Sequence, residues 1–225
     1  MKIKEIPLTI SGIQNIDIYK NRTEDYQLLS LLAQWIHIDQ SNSLWADNIL
    51  ERFGSFVSFL SAPVQDLENA LKLSNKELAE LKLFHNIALR LLKSRIDEHN
   101  VLNHKKSLIN YLIARMSRES IEHFGLFILD HNNRIIEEIF QSNGTVNTTS
   151  IYLREITRKV LQLNGSAIIM VHNHPAGNPQ PSDADKKMTY KMLKSMELFN
   201  ILVIDHLIIG NGKYFSFYEE GLLGY

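Results

Sequence analysis

The sequence predicts an α+β protein, an all-helical first half followed by an α/β second half, and three observations carry that prediction. From Glu24 to Arg118 apolar residues recur at three- and four-residue spacings, the period of an amphipathic helix. After Glu122 short apolar runs between turn residues take over, starting with Phe124-Gly125-Leu126-Phe127-Ile128-Leu129, which is a strand pattern. At 225 residues the chain exceeds the usual size of one domain, so two are favoured, divided as 1–102 and 103–225.

The helical half begins after some twenty residues without a clear period. Tyr26 to Ala33 starts one helix, Leu44 to Phe53 supports a second that Gly54 breaks, and Asp66 to Leu71 and Lys76 to Arg95 carry two more. The polar stretch Ile96-Asp97-Glu98-His99-Asn100 is weakly patterned, and Asn103 to Arg118 reads as a last helix or linker. Trp35, Trp45, Phe53, Phe56 and Phe59 are expected in the core rather than on a base-stacking surface.

In the second half Asp130-His131-Asn132-Asn133 is turn chemistry between two strands, the second running from Arg134 to Phe140. A helical stripe through Ile151, Ile156, Val160 and Leu163 follows, then a short buried strand from Ser166 to Val171 that ends on His172. Asp183 to Leu198 suits a helix, and Ile201 to Ile209 and Tyr214 to Phe217 suit strands around Asn211-Gly212. Helix alternating with strand implies an α/β layer.

Composition narrows the chemistry. No apolar run reaches 18 residues, so no membrane association is expected. Met1-Lys2-Ile3-Lys4-Glu5-Ile6 is not followed by a long apolar stretch with a small-residue cleavage site, and a cytoplasmic location is the default expectation. There is no cysteine, which excludes disulfides, thiol nucleophiles and thiolate metal sites and restricts any metal to nitrogen and oxygen ligands. Before Glu119 there are 15 basic and 13 acidic residues, and from it onward 9 and 12, giving +2 and −3. Neither half carries the excess of positive charge that nucleic-acid binding favours.

Val171-His172-Asn173-His174-Pro175 is the segment that carries chemistry. Histidines at i and i+2 on a strand project to one side and can grip one metal ion. A catalytic zinc needs three protein ligands and an open position, and Asp185 is the natural third ligand. Pro175, Gly177, Pro179 and Pro181 constrain the intervening loop so that a residue at the start of the next helix can return to the histidines. Ser182 followed by Asp183 also fits a helix N-cap with an acidic first turn.

His172-x-His174-Pro175, Ser182 and Asp185 resemble the signature of the JAMM (MPN+) metalloproteases. The bacterial RadC-like branch is closer, with His172-Asn173-His174-Pro175-Ala176-Gly177 and Pro181-Ser182-Asp183-Ala184-Asp185 departing from its usual pattern only at Ala176. The resemblance continues in order through Gly144-Thr145, Arg154-Glu155-Ile156, Asp205-His206 and Ser216-Phe217. It implies a cytidine deaminase-like α/β domain with a mixed sheet and one Zn2+ per chain on His172, His174 and Asp185. It also implies that Glu122 acts as general base, with Glu119 as the fallback, and that Ser182 helps hold the oxyanion of the tetrahedral intermediate. Asp205 and His206 are read as structural, because a buried histidine paired with a carboxylate or backbone group is commoner than a second metal or acid–base pair.

RadC-like proteins often carry an N-terminal helix-hairpin-helix module, which the helical half resembles in length and order. Lys72-Leu73-Ser74 stands where such modules place a Gly-hydrophobic-Gly turn. Side chains there obstruct the approach of backbone N–H groups to phosphate, so weak or no DNA binding is expected. The leading expectation is zinc-dependent hydrolysis of an amide or isopeptide bond in a peptide or protein substrate. A DNA repair or recombination factor and a non-catalytic zinc-stabilised scaffold are the alternatives.

Overall fold

A computed structural model describes residues 18–36, 42–71, 73–97, 100–142 and 149–224. The first seventeen residues, Lys72 of the expected hairpin turn and Gly144-Thr145 lie outside the described residues. The chain divides into two compact units, Met1–Phe59 and Leu60–Tyr225. No described helix is long and apolar enough to cross a membrane.

The first unit holds α1 (Ile18–Trp35), α2 (Asn42–Phe53) and most of the short α3 (Phe56–Leu60). Gly54 takes a φ of 82° at the break after α2, a conformation that L side chains resist, and the Asp25 carboxylate accepts the Phe56 N–H at 3.2 Å to start α3. Leu29, Ala33, Trp45, Ile49, Phe53 and Phe59 are buried, with Trp45 meeting Phe59 edge-on at 5.7 Å. Two of the aromatic expectations need correction. Trp35 is 73% exposed and Phe56 only half-buried. Trp35 shares a helical face with the exposed Leu28 and Leu31, while Leu29, Leu32, Ala33 and Ile36 form the buried one.

The second unit contains α4 (Val64–Ala70), α5 (Asn75–Asp97) and α6 (Lys105–Met116), followed by β1 (His123–Leu129), β2 (Ile135–Ser142), α7 (Thr149–Gln162), β3 (Ala167–Asn173), α8 (Asp183–Glu197), β4 (Leu202–Gly210) and β5 (Lys213–Ser216). Ser74 and Glu77 form a reciprocal cap before α5, the Ser74 N–H and hydroxyl both reaching the Glu77 carboxylate at 2.6 Å. The segment from Asn103 to Arg118 resolves as a helix rather than a linker. The five strands make one mixed sheet in the order β2-β1-β3-β4-β5, antiparallel except for the β3–β4 pair. That parallel pair is joined by α8 as the crossover.

Helices cover both faces of the sheet. Leu108, Leu112 and Met116 of α6 and Ile96 of α5 pack against Phe127, Ile169 and Leu207 on one face. Ile156 and Val160 of α7 and Met192 and Met196 of α8 pack against Leu126, Ile168 and Met170 on the other. Because α5 and α6 supply one of these layers, the division between compact units falls well before the expected boundary at residue 102.

A bulge in β4 decides which face its residues see. Ile168 pairs with Val203 but Ile169 pairs with Asp205, so one extra residue sits in β4 and the alternation resets. Asp205 therefore faces α6 and His206 faces the α8 side. The buried Asp205 carboxylate accepts bonds from Lys105 Nζ (3.0 Å), Ser216 Oγ (2.6 Å) and the backbone N–H groups of His206 (2.8 Å) and Tyr218 (3.1 Å), tying α6, β4 and β5 together. Asp205→Ala takes the acceptor from Ser216 Oγ and two backbone N–H groups, while Lys105 keeps Glu219 Oε1 at 2.9 Å. It is expected to lower stability by about 1–3 kcal/mol, read as a lower urea midpoint at unchanged slope.

Candidate metal centre

The centre sits where β3 ends. His172 and Asn173 are still paired in register with Ile208 and Ile209 of β4, and the His174 N–H continues the ladder to the Ile209 carbonyl at 2.8 Å. The chain then turns on Gly177, with φ 86° and its N–H on the His174 carbonyl at 2.9 Å. It passes so close to the end of β4 that a Cβ on Gly210 would lie 2.7 Å from the Gly177 carbonyl oxygen and 3.1 Å from Pro179 N. Only glycine fits there. The loop thus held brings the Asn178 carbonyl within 2.8 Å of His174 Nδ1.

Ser182 caps α8 and holds Asp185 in place. Its N–H and hydroxyl donate to Asp185 Oδ2 at 2.7 and 2.6 Å, and the Asp185 N–H returns to Ser182 Oγ at 3.2 Å. The capping expectation for Ser182 is therefore met. Burial raises the Asp185 carboxyl, but the contacts from His172 and Ser182 outweigh it and hold the group well below the usual carboxylate range.

Three side chains converge. His172 Nε2 and His174 Nε2 stand 3.0 Å apart, with Asp185 Oδ1 3.2 Å from the first and Oδ2 3.4 Å from the second. All the ligand atoms lie within 4.8 Å of one another. The Asn178 carbonyl can only accept, so His174 carries its proton on Nδ1 and turns a lone pair inward on Nε2. A lone pair beside a carboxylate and a second imidazole nitrogen requires a cation or a shared proton between them. Two imidazoles and one carboxylate without sulfur can hold a divalent metal ion with positions left open, and zinc is among the metals such donors fit.

Glu122 immediately precedes β1. It stands two residues before Phe124, which pairs with His172 where the β1–β3 ladder ends. Its side chain is exposed and makes no hydrogen bond or ion pair among the described residues. Glu119 instead comes to His123, its Oε2 3.6 Å from Nε2. The buried Asn173 amide brackets Glu122, accepting the His123 N–H at 2.7 Å and donating to the Ile121 carbonyl at 3.1 Å.

Asn173 and Thr189 carry no role in the sequence reading, and His206 is read there only as structural. His206 is fully buried, with Nε2 2.9 Å from His172 Nδ1 and Nδ1 2.6 Å from Thr189 Oγ1. Burial, reinforced by His172, pushes the His206 ring well below the ordinary imidazole value and keeps it neutral. Asp205 is structural, as expected, whereas His206 contacts the centre.

Residues 102–222 match the RadC-like JAB domain. The chain belongs to the RadC-like JAB domain family. It is 37% identical over 199 residues to a UPF0758 protein of Rhodobacter capsulatus, covering 88% of this chain and 93% of that relative. A UPF0758 protein of Ruegeria pomeroyi is 35% identical over the same length, covering 88% and 89%. All five strands and His172, His174 and Asp185 lie inside the JAB domain match, while the likeness to the relatives extends beyond it.

Two substitutions test how this RadC-like site is held. Gly210→Ala is expected to cost about 1–3 kcal/mol through overpacking and to weaken metal binding, measured by urea unfolding and by competition with a chelator. Ser182→Ala, in metal-free protein near pH 7, is expected to cost about 1 kcal/mol by loss of the cap. Because the folded Asp185 carboxyl is depressed, its share of that stability is present above the unfolded value of about 4 and fades as pH falls toward the folded value. The gap between wild type and variant should therefore narrow in acid, measured by thermal unfolding across pH.

Proposed function

We propose that this protein is a zinc-dependent hydrolase that cleaves an amide or isopeptide bond in a peptide or protein. The observation that carries the reading is the convergence of His172 Nε2, His174 Nε2 and the Asp185 carboxylate beside the end of β1, where Glu122 stands exposed and unengaged among the described residues. Zinc held by these three residues supplies Lewis acidity that lowers the pKa of water toward about 7 and polarises a carbonyl.

The chain's own residues complete the reaction. Glu122 accepts a proton from the attacking water as the new C–O bond forms, and later delivers it to the departing nitrogen as the C–N bond breaks. Ser182, whose hydroxyl holds Asp185 Oδ2 at 2.6 Å, turns to donate to the oxyanion when substrate occupies the site. The Asn173 clamp holds the backbone on both sides of Glu122, so the base arrives pre-aimed. The RadC-like family membership supports a metal-dependent hydrolase.

Metal content of the purified protein tests the reading, with His172→Ala/His174→Ala as the control. About one zinc per chain, lost in the double variant, is the expected result, and a chain that takes up no zinc when it is supplied overturns it. Glu122→Gln should retain the metal and reduce turnover about 10²- to 10⁴-fold in a peptide and isopeptide screen. A metal-loaded protein with no turnover of any such substrate leaves the zinc-stabilised scaffold in its place.

A further inference from the structure

Thr189 and His206 are not metal ligands in the proposed site, yet their hydrogen bonds run in one direction toward His172. Thr189 Oγ1 is 2.7 Å from the Asp185 backbone carbonyl. A carbonyl oxygen can only accept, so the Thr189 hydroxyl proton is committed to it. The same oxygen lies 2.6 Å from His206 Nδ1 and has only lone pairs left to offer, which places a proton on that nitrogen.

No carboxylate or other anion lies within hydrogen-bond distance of the His206 ring among the described residues, and a buried imidazolium without a counter-charge is costly. The neutral ring has one N–H, already on Nδ1, so Nε2 presents a lone pair to His172 Nδ1 at 2.9 Å. His172 must then donate from Nδ1. In the neutral His172 ring the lone pair is then left on Nε2, which faces His174 and Asp185. Phe217 stacks on His206 at 4.8 Å with the rings 19° apart, fixing the plane in which the chain of donors operates.

We infer that Thr189 and His206 are positioning residues that select the Nδ1–H tautomer of His172, so that Nε2 is ready to bind metal before any metal arrives. Neutral histidine in water favours the opposite tautomer, with the proton on Nε2, and in that form His172 would turn an N–H into the centre. The relay reverses the preference through a fixed acceptor, the Asp185 carbonyl, on the same residue whose carboxylate is a ligand in the proposed site. The inference rests on that proposed centre, because a tautomer selected for binding presupposes a metal.

Long-range proton–nitrogen correlation spectra of the imidazole rings, recorded on metal-stripped protein above the histidine titration range, distinguish the tautomers without zinc or substrate. The expected result is His172 with a protonated Nδ1 and a bare Nε2. Wild-type protein with its His172 proton on Nε2 overturns the inference outright. Thr189→Val keeps the shape and removes the acceptor, and should give mixed His172 tautomers with zinc affinity lower by about 10- to 100-fold. Thr189→Ser should restore both. A valine variant that keeps a single Nδ1–H tautomer and binds zinc within twofold of wild type would sink the relay while leaving the metal centre intact. Wild-type protein with the expected tautomer but no zinc uptake would instead sink the metal-centre reading.

Discussion

Three electron-rich groups are held against one another at the end of β3, and the rest of the second unit is arranged to keep them there. Two imidazole nitrogens 3.0 Å apart beside a carboxylate would separate if their backbones were free. They do not separate because each comes from a different kind of restraint. His172 is a residue of a central strand paired on both sides, His174 is fixed by the loop that lies against β4, and Asp185 is locked into the cap of α8. The three restraints come from a strand, a loop and a helix cap, and together they hold the ligand groups at one point.

The sheet is suited to this because it is covered on both faces. One layer, from α5 and α6, gives it a dry back, and the other, from α7 and α8, brings the third ligand to its front. The parallel β3–β4 pair is central to the arrangement. Its connection must cross over the sheet, and the helix that makes the crossing starts at Ser182, next to the ends of the strands it joins. Ligand loop, helix start and strand ends therefore meet at one place for topological reasons, whatever the chemistry installed there.

Much of this could be read from the residues. The helical period of the first half, the strand runs of the second and the turn at Asn211-Gly212 are local signals, and most elements formed near them, although α1 begins at Ile18, ahead of Tyr26, and the short α3 carried no signal of its own. The spacing of His172, His174 and Asp185 was legible because a strand end, a Pro/Gly loop and a helix start allow few geometries. Trp35 was not, since the apolar stripe of α1 has two sides and the period alone does not tell which one is covered. His206 was hidden for a subtler reason. Adjacent to Asp205 on an apolar strand, it reads as half of a structural pair, and nothing local announces that a bulge sends the two residues to opposite faces. Asn173 and Thr189 are polar residues whose links to β1 and to His206 span 17 to 52 positions of the chain, a distance no local pattern spans.

That bulge turns two consecutive residues of β4 to opposite faces of the sheet. Asp205 is anchored to Lys105 in the α6 layer, and His206, the next residue, is anchored to His172 at the front of the sheet. A sheet ordinarily insulates what lies on its two sides, since its backbone bonds run in its own plane. Here a single peptide unit joins the two faces, so the residue that carries the α6 anchor and the residue that backs His172 are covalent neighbours with opposite outlooks.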